Sequence, residues 1–190
     1  MSEVNIIKDV SLIIPCQNAE KKLLQLLRSI QNWEAIPNEI IIIDSSSEKF
    51  LLPEDLKLFT ERLNIKSLVI YGDNLYPGHA RNIGVVNATN STLAFLDTST
   101  HPNERWLSSG LNLMRANNSQ GVWGSTYYQA DYYMPQIIRA CTFGAKPIKT
   151  FPGSIFAKNI FDRCGLFIES TRAGEDGDWM SRVDFHKITL

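Results

Sequence analysis

Glu39-Ile40-Ile41-Ile42-Ile43-Asp44 sets four isoleucines in a row between two carboxylates. A strand with one wet face alternates apolar and polar residues, and this run does not. It describes a strand buried on both sides, as strands are in parallel sheets layered between helices. Asp44-Ser45-Ser46-Ser47 then reads as a polar loop at the strand's C-terminal end.

Upstream, Val10-Ser11-Leu12-Ile13-Ile14 is a second apolar run, stopped by Pro15 and followed by the loop Cys16-Gln17-Asn18. Between the two runs, Leu23, Leu27 and Ile30 recur on one helical face with Leu24 beside them. Asn18 is placed to cap that helix, and Pro37-Asn38 ends it. Downstream, Pro53 opens a helix through Leu56, Phe59 and Leu63. Residues 67–71 read as a strand, Gly78 starts a helix reaching about Asn87, and residues 92–96 form a strand ending at Asp97. A helix carrying Trp106, Leu107, Gly110, Leu111, Leu113 and Met114 leads to a strand at 121–123. A strand at 153–157, a short helix at 158–164 and a last helix at 175–183 complete the chain. This β-α alternation implies an α/β fold, one domain over residues 1–190, with a mainly parallel central sheet and helices on both faces.

Residues 125–150 break the rhythm. Tyr127, Tyr128, Tyr132, Tyr133, Met134 and Pro135 crowd there, followed by Arg139, Phe143 and Lys146. Two readings stand: a lid or acceptor-facing segment, or an irregular excursion whose aromatics pack onto the sheet.

The 190 residues carry a net charge of −1, so no basic field holds nucleic acid. Three cysteines, Cys16, Cys141 and Cys164, are too few and too widely spaced for a disulfide framework or a zinc ribbon, and read as buried or half-buried thiols in a reducing compartment. No segment has the apolar length to span a bilayer, and the N-terminus lacks the pattern of a signal peptide. The expected location is cytoplasmic, with or without peripheral contact to the inner face of a membrane.

The polar residues at the predicted strand ends are the candidates for chemistry. Asp44 can accept the imide N–H of a uracil or bond ribose hydroxyls, or simply cap its loop. Asp97, followed by Thr98-Ser99-Thr100, offers one carboxylate to a hard cation such as Mg²⁺ or Mn²⁺, which shares its oxygen ligands with substrate phosphates. Arg81 sits near a helix start and can hold a diphosphate or a neighbouring carboxylate, tying Asp97 in place. Glu175-Asp176 opens a helix, where carboxylates favour the dipole and where one can act as general base. Trp179, one turn on, can stack on an acceptor sugar, and Arg182 shares that face and can pair with Glu175. There is no G-x-x-x-x-G-K-[ST] and no G-x-G-x-x-G, which removes the main support for P-loop and dinucleotide readings.

Taken in order, these segments resemble the GT-A-fold glycosyltransferases of family 2, inverting enzymes that use nucleotide sugars. Residues 10–18 resemble the opening strand and nucleotide loop, and Ile43-Asp44-Ser45-Ser46-Ser47 the base-binding strand end. Gly78 to Gly84 is similar to the helix carrying Ala-Arg-Asn-x-Gly, Phe95-Leu96-Asp97-Thr98-Ser99 to the metal-binding D-x-D, and Gly174-Glu175-Asp176 to the catalytic motif. The resemblance implies a Rossmann-like GT-A domain. Pro15, Asp44 and Arg81 would line the nucleotide and diphosphate, and Asp97 would hold Mg²⁺ or Mn²⁺. Asp176 would be the catalytic base, and Glu175 and Trp179 would meet the acceptor. It further implies inverting transfer from a UDP-linked sugar to the hydroxyl of a carbohydrate or lipid-linked acceptor, in polysaccharide, glycolipid or cell-surface glycan synthesis. Ser99 stands where a second aspartate is usual, which weakens the metal site. Family members usually continue past the position of Leu190, so the domain is expected to be truncated at its C-terminus. The alternatives are a non-catalytic nucleotide-sugar-binding relative and, further off, a sugar-phosphate nucleotidyltransferase.

Overall fold

The structure, a computed structural model, describes residues 5–129, 132–142, 144 and 146–190. Along the chain the elements are β1 (Ile6–Cys16), α1 (Glu20–Ser29), β2 (Ile36–Asp44), α2 (Glu54–Arg62), β3 (Lys66–Tyr71), α3 (Pro77–Asn87) and β4 (Thr92–Phe95). They continue with α4 (Trp106–Asn117), β5 (Gly121–Thr126), α5 (Tyr133–Thr142), β6 (Ile148–Ala157), α6 (Ile160–Cys164) and α7 (Glu175–Phe185). The strands make one sheet in the order β3-β2-β1-β4-β6-β5. The first four strands are parallel, whereas β6 runs antiparallel to both β4 and β5.

The isoleucine run is buried on both faces. Ile40 and Ile42 join Leu12 and Ile14 in a core completed by α1, α2 and α4. Ile41 and Ile43 point the other way, joining Ile13 in a core completed by α3, α6 and α7. Burying each such side chain is worth about 2 kcal/mol. That gain barely changes if the strand slips by one residue, because both faces are apolar. Register in such a strand must come from elsewhere.

It comes from the two carboxylates that bound the isoleucine run, Glu39 inside β2 and Asp44 at its end. Glu39 is 1% exposed and binds Lys66 Nζ at 2.8 Å, the Ser11 hydroxyl, and the backbone N–H and hydroxyl of Thr89, each at 2.8 Å. At the other end, Asp44 accepts the backbone N–H groups of Ser46 and Phe50 at 3.0 and 2.7 Å. A slip would leave both carboxylates buried without these partners, at a cost of several kcal/mol.

Three expectations change. Asn18 does not cap α1. Its backbone is left-handed, with φ 49°, and its side chain accepts from Ser47 across the neighbouring loop. Residues 125–150 contain a helix, α5, and Tyr127, Tyr132 and Tyr133 are exposed and do not pack onto the sheet. Phe143 and the side chain of Arg139 lie outside the described residues. Cys16 and Cys164 are buried as expected, but Cys141 is exposed. Among the described residues, no helix is long and apolar enough to cross a membrane.

Burial pushes the Glu39 carboxyl up, but Lys66, Ser11 and Thr89 outweigh it and hold it below the ordinary 4.5. The ionised form therefore stabilises the fold above that ordinary value, and the contribution is lost as pH falls through the lowered one. Glu39→Gln is expected to cost about 2 kcal/mol at neutral pH. Urea unfolding at stepwise lower pH checks this: the gap between the two proteins should close as the carboxyl protonates.

Candidate functional site

The C-terminal ends of the parallel strands come together at one edge of the sheet. Cys16 pairs with Asp44 in the β1–β2 register, and Ile13 pairs with Phe95 two residues before Asp97. The loops after β1 and β2 are stitched to each other. The Asn18 backbone N–H donates to Ser46 Oγ at 2.7 Å, and Asn18 Oδ1 accepts the Ser47 N–H at 3.2 Å. Pro15 is half-buried in β1 beside this rim.

Asp44 lies where expected, yet it is 1% exposed, with each carboxylate oxygen turned back onto its own loop. It caps its loop, the second of the two roles expected for it, and so shapes the rim. Burial pushes the Cys16 thiol up, the Ala19 N–H opposing, so this residue stays a thiol at neutral pH and offers no nucleophile.

Arg81 is the centre of the site. It is 5% exposed, and its guanidinium sits 5.2 Å from the Phe151 ring centre and 5.8 Å from that of Phe167. Nη1 donates to Glu175 at 2.6 Å and Nη2 to Asp97 at 3.3 Å. One buried cation thus joins the end of β4 to the start of α7. Of the two roles expected for Arg81, the structure shows the holding of carboxylates: it ties Asp97 in place and also anchors Glu175, itself buried. Asp97 keeps a side chain 40% exposed, and Asp176, next to the anchored Glu175, is half-buried and ion-pairs with no cation among the described residues.

Trp179 is corrected outright. It is fully buried, stacked on Phe161 at 4.7 Å, and donates its indole N–H to the Gly165 carbonyl at 2.9 Å. No ring face is left for a sugar. Arg182 does not pair with Glu175 either. It binds Asp178, and it donates to the carbonyls of Cys164 and Leu166.

Asn82 was not singled out from the sequence. Its amide accepts the Phe167 N–H at 2.8 Å and donates to the Phe167 carbonyl at 2.9 Å. Four consecutive carbonyls, from Cys164 to Phe167, are therefore each held by a side chain from α3 or α7. Gly78 is required beside them, because a Cβ there would stand 2.3 Å from the Ile168 carbonyl oxygen. The signal for Asn82 in sequence was its place in the Ala-Arg-Asn-x-Gly segment, directly after Arg81.

The donor set also bears on metal. Among the described residues, no three His, Cys, Asp or Glu side chains cluster to cage an ion. A hard cation that arrives with phosphate oxygens and waters needs only one or two carboxylates. Asp97 fits that lesser requirement.

A family model described as glycosyl transferase family 2 matches residues 11–165. Glycosyltransferase AglE of Haloferax volcanii is 24% identical over 121 residues, which is 63% of this chain and 40% of that protein. Two solved structures share the fold. Staphylococcus aureus TarS 1-349 in complex with UDP-GlcNAc has a TM-score of 0.67 at 19% identity, over 92% of this chain and 52% of that one. The mannosyltransferase PcManGT from Pyrobaculum calidifontis, in complex with GDP-Man and Mn2+, has a TM-score of 0.66 at 15% identity, over 95% of this chain and 53% of that one. The chain spans about half the length of either structure.

Arg81→Met is expected to cost about 3 kcal/mol, because it strands the buried Glu175 carboxylate. Adding Glu175→Leu should recover part of that loss, so the pair will be strongly non-additive in thermal unfolding.

Proposed function

The chain belongs to glycosyl transferase family 2, and from that premise we propose that it transfers a sugar, with inversion, from a nucleotide sugar to an acceptor hydroxyl. The observation that carries this reading is the Arg81 clamp, which holds the partly exposed carboxylate of Asp97 and the buried carboxylate of Glu175, the residue before Asp176, at the sheet's C-terminal edge. Open α/β sheets bind ligands at that edge. Further support comes from the bound donors of the two structures with this fold, UDP-GlcNAc and GDP-Man. A UDP-linked donor and a carbohydrate or lipid-linked acceptor are the specific proposal.

In this mechanism Asp176 takes the proton of the acceptor hydroxyl. The acceptor oxygen forms its bond to the anomeric carbon as the bond from that carbon to the diphosphate oxygen breaks. The nucleoside diphosphate leaves from the opposite face with the electron pair. Asp97 would hold Mg²⁺ or Mn²⁺ bound to the diphosphate, and the ion would neutralise charge on the leaving group. Glu175 fixes the first turn of α7 through Arg81, and so fixes Asp176. Gly174, at φ 91°, supplies the left-handed backbone that starts this helix. Pro15 and the loop shaped by Asp44 would line the nucleotide.

Asp176→Asn is expected to lower kcat by about 10²-fold or more with donor affinity unchanged, measured by nucleoside diphosphate release and by thermal shift with UDP-sugars. Normal turnover in that variant would remove Asp176 from the base role. Donor binding without turnover in the unaltered protein would favour the non-catalytic reading. Asp97→Ala should abolish any stimulation by Mn²⁺.

A further inference from the structure

The segment joining β5 to β6 leaves the sheet at the edge that carries Asp97, because β5, like β4, is antiparallel to β6. Its helix, α5, carries Met134, Ile137, Ile138 and Cys141, spaced as one apolar stripe. Such a stripe ordinarily faces a core. Here it faces solvent: Met134 is 62% and Ile138 59% exposed, and Ile137 and Cys141 are exposed as well. Tyr132 and Tyr133, at the head of the helix, are about three-quarters exposed.

Charge identifies what covers it. The chain is net −1, yet no acidic residue occurs between Asp131 and Asp162. That stretch carries Arg139, Lys146, Lys149 and Lys158. Lys158 is held by the Ala88 carbonyl, and Lys149 lies 4.5 Å from the Trp123 ring centre; Lys146 and Lys149 are both exposed. A second copy of the chain would set these cations against themselves. A surface with an apolar interior and anionic headgroups satisfies both halves, and tyrosines belong at such an interface.

We propose that α5, with its flanking tyrosines and the lysines that follow it, docks on an anionic phospholipid bilayer, laying the stripe among the headgroups. The cleft at Asp97 would then open beside the membrane. The proposal stands on α5 and the residues that flank it, and does not depend on the transfer chemistry.

Co-sedimentation of the full chain with phosphatidylcholine vesicles, with and without phosphatidylglycerol, tests it. The protein should pellet with the anionic vesicles and not with phosphatidylcholine alone, and added salt should release it. Ile137→Asp combined with Ile138→Asp replaces exposed side chains, so thermal unfolding should be unchanged while vesicle partitioning falls about tenfold or more. Failure of the unaltered chain to pellet at low salt overturns the proposal, as does equal pelleting of the variant. A dimer in light scattering that the two aspartates dissociate, without vesicle binding, would also overturn it and assign the stripe to self-association.

Discussion

A run of four isoleucines has no register of its own. Every position along β2 gains the same burial whichever way it points, so hydrophobicity holds the strand in the sheet without saying where. Glu39 and Asp44 say where. One is tied to Ser11, Lys66 and Thr89 below the sheet, and the other to the backbone of residues 46–50 above it. Both are buried polar groups whose partners exist at a single setting of the strand. The alignment of β1 against β2, and with it the position of the cleft rim, follows from these two fixed ends.

The same logic recurs across the sheet at Arg81. Its guanidinium is removed from water and flanked by Phe151 and Phe167, in an environment where a lone charge is costly. Glu175 and Asp97 make it tolerable, and the last two motifs of the series are thereby brought to one place. The arrangement leaves Asp97 partly open and Asp176 outside the ion pair. The groups that face solvent are positioned by groups that do not.

The fold was legible because its signals are local or periodic: apolar runs, helical stripes and Pro or Gly at the breaks. The meeting of Arg81 with Asp97 was also within reach, since the two lie sixteen residues apart at neighbouring element ends. Orientation was not. Asp44 allowed both a ligand contact and a loop cap, because sequence does not tell whether a side chain at a strand end turns outward or back to its own loop; it turns back. Trp179 was read as a sugar contact and Arg182 as a partner of Glu175 from helical spacing, whereas the long-range pull of the aromatic core and of free carbonyls decided both. Asn82 was invisible for a similar reason: its partners are backbone atoms eighty-five residues away.

The tethering of residues 164–167 separates two properties that usually travel together. Arg182, Trp179 and Asn82 seat this stretch through its carbonyls, and Glu175 seats the helix that follows. The connection between them, residues 168–174, is mostly exposed, with Glu169 tied back to Asn82 near its start. Loop closure changes slowly with added residues. Insertions can therefore accumulate in this bridge, and new shapes can grow over the cleft, while the proposed base keeps its address.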